Sequence, residues 1–155
     1  MKSFKDYIDK NKFALEKALQ IDNKKWNEEL GIYDILKNED LEIELEKNKT
    51  YLVIYEGDPI VTKILLEKAI DVSANMIFIL DDYYLATNTI FLGIANKLLE
   101  ENNLKNLFKI YNKIKEDKMF ENTKEVDTTI FIGGKDDFAY IEAHVKGDLI
   151  KIEYI

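Results

Sequence analysis

Hydrophobic positions along this chain change their spacing twice. Near the start they recur at helical intervals: Phe4, Ile8, Leu15 and Leu19 form one stripe, and Trp26, Leu30 and Tyr33 form a second. Ser3 with Asp6 three residues later resembles a capping box at the head of the first helix. Gly31 falls inside the second stripe and weakens its continuity. The stretch LEIELEKN then alternates, with Leu41, Ile43 and Leu45 set against Glu42, Glu44 and Glu46. That period of two predicts a short strand with one wet face.

From Tyr51 onward, short β-rich runs alternate with segments of helical length. TYLVIY predicts a strand, and PIVTKILLEKAI a helix with Val61, Leu65, Leu66 and Ala69 on one side. NMIFIL has no polar face, as befits a strand covered on both sides. LATNTIFLGIANKLLEENN is the clearest helix, its wide apolar face carrying Ile90, Phe91, Ile94, Ala95, Leu98 and Leu99. LFKIY predicts a third strand and TTIFIGG a fourth, after a weakly helical stretch. A short helix from about Asp136 and a last strand in DLIKIEYI follow. The expectation is one α/β domain over residues 1–155 with a Rossmann-like, mostly parallel sheet and helices on both faces. Two N-terminal helices and the short strand make a lead-in over residues 1–50, and residues 51–155 make the core.

Composition narrows the chemistry. The chain has 155 residues, 46% of them hydrophobic, enough for a sizeable core. Its net charge is −8, and all 22 basic residues are lysines. Without arginine there is no bidentate fork for phosphate, and an acidic surface repels a nucleic-acid backbone. No nucleic-acid partner is expected. Cysteine is absent and His144 is the single histidine, which removes thiolate zinc sites and a cysteine nucleophile. No metal site is expected, because paired acids such as Asp136 and Asp137 lack a ligand spacing. His144 itself reads as a helix-terminus residue. No apolar run reaches membrane-spanning length and MKSFKDYIDK is too polar for a secretory signal; a cytoplasmic protein without a membrane partner is expected.

One stretch carries a resemblance. VIYEGDPIVTKILLEKAI followed by ANMIFIL resembles the dinucleotide-binding half of the aldehyde dehydrogenase superfamily, in particular its γ-glutamyl phosphate reductase branch. The matching positions are Tyr55, Glu56, Pro59, Val61, Thr62 and Asn75. Further on, Asn88 matches the Asn early in the next helix, and VDTTIFIGGK matches the strand that ends in a glycine turn, at Gly133 and Gly134. The resemblance spans roughly Tyr51 to Lys135 through order and spacing rather than any strong motif. Enzymes of that superfamily use a nucleophilic cysteine in a second domain. This chain has no cysteine and ends about where that domain would begin, so the resemblance implies a scaffold more than an activity.

Three turns are candidate sites. At Asp58–Pro59 an acid able to cap the helix and a proline without an N–H make a good helix start. The acid occupies donors that a phosphate would need. Asp81 and Asp82 follow the second strand, where an acid is the usual partner of a cofactor ribose and favours NAD. Alternatively, one of them or Thr87 caps the next helix. Gly133, Gly134 and Lys135 follow the fourth strand, where the resemblance places a pyrophosphate; Asp136 and Asp137 count against an anion there. NAD is thus the candidate cofactor, and no catalytic residue is assigned. The strand at Leu149 to Ile155 either closes the sheet or pairs with a second copy as a homodimer. Three functions follow: a non-catalytic dehydrogenase-like domain that binds a dinucleotide or a protein, a cofactor-binding subunit completed in trans by a cysteine-bearing reductase subunit, or an acidic inhibitor of a basic partner.

Overall fold

The computed structural model describes residues 3–37, 40–80, 82–106, 108–112 and 120–154. Three N-terminal helices precede the sheet: α1 (Phe4–Lys10), α2 (Lys12–Trp26) and α3 (Ile32–Ile35). The capping box forms as expected, with Ser3 Oγ accepting from Asp6 N–H and Asp6 accepting from Ser3 N–H. The two expected stripes are partitioned differently. The first breaks at Asn11, and α2 runs on to Trp26, where Asn27 ends it in the left-handed conformation at φ 53. Gly31 does not interrupt a helix; it begins α3.

LEIELEKN keeps its alternation but forms no strand. Leu41, Ile43 and Leu45 are buried while Glu42, Glu44 and Glu46 are exposed, yet no ladder forms. The segment is an extended strap laid beside α4 (Pro59–Val72), where Ile43 and Leu45 share a hollow with Lys68 and Val72. A period of two reports which way side chains point, and it does not supply a hydrogen-bonding neighbour.

The remaining elements alternate as expected: β1 (Thr50–Tyr55), α4, β2 (Asn75–Leu80), α5 (Leu85–Glu101), β3 (Phe108–Asn112), β4 (Thr128–Gly133), α6 (Phe138–His144) and β5 (Asp148–Glu153). The weakly helical stretch ahead of β4 lies mostly outside the described residues. All strands are parallel, in the order β3-β2-β1-β4-β5. The fold is therefore α/β and Rossmann-like. Val53, Tyr55, Met76, Phe78, Ile130 and Ile132 belong to one core, which they share with apolar side chains of α1, α2, α4 and α5. Leu52, Ile54, Ile79 and Phe131 face the other way, onto Phe120, Phe138 and Ile141. Both faces of β1 are thus covered, which explains its unbroken apolar run. No helix among the described residues is long and apolar enough to cross a membrane.

Candidate functional site

In this strand order the chain leaves β1 for β2 on one side and later returns to β4 on the other. The carboxyl ends of β1 and β4 therefore open onto a topological switch point, where ligands of open α/β sheets bind. A cleft of about 390 Å³ lies there, lined by Tyr55, Glu56, Asp58 and Val61 after β1, Tyr83 after β2, Ile132, Gly133 and Gly134 at the end of β4, and Tyr154 after β5.

A buried network fixes the β1–α4 turn. Asn88 of α5, fully buried, donates from Nδ2 to the Gly57 carbonyl at 2.7 Å. Its Oδ1 accepts the Thr62 hydroxyl at 2.7 Å. Thr62 has donated its only proton, so Tyr55 is the donor in the 2.5 Å contact between the two hydroxyls. Burial pushes the Tyr55 phenol well above the usual tyrosine range, with the Asp58 charge adding to the rise. Gly57 stands at φ 121, a conformation open to glycine and costly for other residues. Asp58 is the helix cap the sequence indicates: Oδ1 accepts from Ile60 N–H at 2.9 Å, with Pro59 next. Its other oxygen accepts the Tyr154 hydroxyl at 2.7 Å, tying the end of β5 to the start of α4.

The wall nearest β2 is aromatic. Trp26, Tyr83 and Tyr84 meet edge to face. Tyr83 donates to Glu28 Oε2 at 2.7 Å, and the buried Tyr84 hydroxyl donates to Asn23 Oδ1. Burial, reinforced by the Glu28 carboxylate, raises Tyr83 well beyond its ordinary range and pushes Tyr84 up to about 12.

The residues singled out in the sequence are distributed unevenly around this cleft. Gly133 and Gly134 line it. A Cβ on Gly133 would sit 2.7 Å from the Phe131 ring, so glycine is needed there for close approach. Lys135 is exposed in the 3-10 turn Lys135–Asp137 and does not line the cleft. Asp82 is exposed as well, 3.9 Å from Lys25, and caps nothing with its side chain. Asp81 lies outside the described residues. Thr87 does not cap α5 either. Its N–H and hydroxyl both donate to Asp22 Oδ2, at 2.8 and 2.7 Å, from a buried carboxylate on α2. His144 ends α6, its Nδ1–H donating to the Tyr140 carbonyl at 2.8 Å and its ring against Phe120.

Helix starts bind phosphate when their N–H groups are open and uncharged at the mouth. Here α4 meets Asp58, α5 meets Asp22, and α6 begins beside the exposed Asp136 and Asp137. Among the described residues the lining holds carboxylates and no lysine. These residues do not fit a pyrophosphate. Sequence reasoning missed Tyr83, Tyr154 and Glu28; the pairing of Tyr83 with Tyr84 straight after a strand was the available signal. No protein-family model matches the chain, and no curated protein matches it.

Proposed function

We propose that this protein is a binding domain without chemistry of its own, whose switch-point cleft takes a small ligand carrying a positive charge rather than a dinucleotide. One observation carries the reading: the hydroxyls of Tyr55, Tyr83 and Tyr154 each donate to an acceptor of the chain itself. The side chains of the wall therefore offer a ligand carboxylate oxygens and aromatic faces, and few donors. Glu56 and Asp58 supply the charge, and tyrosine rings add an attraction of about 0.5–2 kcal/mol for a cation. With Tyr55 and Tyr83 both raised well above the usual range, neither phenol is poised as a base or nucleophile. Tyr55, Thr62 and Asn88, which carry the aldehyde dehydrogenase resemblance, serve here to hold the turn, in keeping with a scaffold retained without its reaction.

Calorimetric titration tests this. Agmatine or spermidine should give saturable heat that falls at least tenfold in affinity in the Glu56→Gln, Asp58→Asn double variant, while NAD, NADP and ATP give none. Saturable dinucleotide binding, or amine binding indifferent to those substitutions, would sink the proposal. The same cation presented by a basic protein is the second reading, suited to the net charge of −8. It differs in yielding a complex that survives gel filtration and dissociates with rising salt.

A further inference from the structure

We propose that two copies of this chain join their sheets through β5, antiparallel, about a two-fold axis passing through Ile152. β5 is an edge strand, hydrogen-bonded among the described residues only to β4, and an edge strand is a template for a further strand. Tyr154 N–H donates inward to the Gly133 carbonyl at 2.9 Å. Backbone groups alternate along a strand, so Lys151 and Glu153 direct theirs outward. Ile150, Ile152 and Tyr154 stay only partly buried on the face they share, an apolar row ending at the open edge.

The charges select one register. With the axis at Ile152, Lys151 faces Glu153 of the second copy, and Glu153 faces its Lys151. Ile152 meets itself, and Ile150 meets Tyr154. Opposite charges directly across antiparallel strands attract and like charges repel. Moving the axis one residue either way sets Lys151 against Lys151 or Glu153 against Glu153. Placed at Ile150, it leaves Lys151 facing Leu149 with no charge to meet. The lysine that guards this edge against slipped pairings thus favours the closed one. Its ion pair with Glu142 of α6 is compatible, since an ammonium group has three donors. A second copy is the occupant that this self-complementary pattern describes, and a two-fold axis closes the assembly at a dimer.

Sedimentation velocity over a range of concentrations tests the proposal. The unmodified chain should dimerise, Lys151→Glu and Glu153→Lys should each weaken the dimer at least tenfold, and the double swap K151E/E153K should restore it. Thermal melts by circular dichroism check that each variant is folded. The absence of native cysteine makes a second readout clean. Ile152→Cys places its thiol on the axis in a non-hydrogen-bonded pair, with Cα atoms about 4.5 Å apart, and should cross-link under mild oxidation. Ile150→Cys should not. A monomer at every concentration, a double swap that stays monomeric, or cross-linking of Ile150→Cys in place of Ile152→Cys would each overturn it.

Discussion

The hydroxyl of Thr129 is buried on β4 with no hydrogen-bond partner among the described residues. A buried polar group left unpaired loses its hydration and gains nothing in return. Valine has nearly the same shape, suits a strand, and carries a methyl in its place. We expect Thr129→Val to raise stability by about 1 kcal/mol, read as a higher urea midpoint at unchanged slope; a lower midpoint would show that the hydroxyl has a partner. Asp22 is the opposite case, a buried carboxylate whose oxygen accepts two hydrogen bonds from Thr87. The sequence invited a cap for α5 from Asp81, Asp82 or Thr87, all within a few residues. The actual partner lies on α2, 65 positions away. Capping preferences are local rules, so a cap delivered by tertiary packing stays invisible to them. The Asp58 cap was legible because donor and acceptor are two residues apart.

Elements were legible where periodicity and hydrogen bonding coincide. β1, β2, α4 and α5 follow their apolar patterns closely. The strap at Leu41 to Glu46 shows the two separating: its side chains alternate in burial, but its backbone lies beside a helix that has no ladder to share. Helix ends were misread for a related reason. Asn27 and Gly31 sit among apolar residues at helical spacing, and only their conformations reveal that one stops α2 and the other starts α3. The β1–α4 turn depends on such a conformation at Gly57, buried at φ 121 with its carbonyl held by Asn88. A Cβ there is strained irrespective of space, so Gly57→Ala should cost about 1–3 kcal/mol in chemical denaturation. Gly134→Ala is the matched control, since Gly134 has an ordinary φ of −72 and open space around its Cβ position. Equal losses at the two glycines would refute the assignment of strain to Gly57.

At the scale of the molecule, alternating strands and helices announced a parallel sheet, but the strand order came only from which faces could be covered together. That order sets the cleft, and it gathers tyrosines from β1, the β2–α5 turn and the C-terminus that lie far apart in sequence. A second aromatic layer, Trp26, Tyr83 and Tyr84, joins the N-terminal helices to this end of the sheet, with Asn23 and Glu28 accepting its hydroxyls. This end of the sheet should lose stability in alkali. Burial raises Tyr55 well above its ordinary value and Tyr84 to about 12, whereas in the unfolded chain both ionise near pH ~10. Between those limits the unfolded state has lost protons that the folded state keeps, so stability is complete below pH ~10 and falls as pH rises. Each such phenol removes about 1 kcal/mol between pH ~10 and ~11, where the unfolded tyrosine is still partly protonated, or roughly 2 kcal/mol for the pair. The slope approaches about 1.4 kcal/mol per pH unit only above pH ~11. Urea midpoints at pH 9, 10 and 11 should decline on that scale, and Tyr84→Phe should flatten the decline by about one phenol's share. Lysine deprotonation also acts in this range, but it is common to both proteins and cancels in the comparison. An equally steep decline in Tyr84→Phe would mean that this hydroxyl is not held protonated by its surroundings.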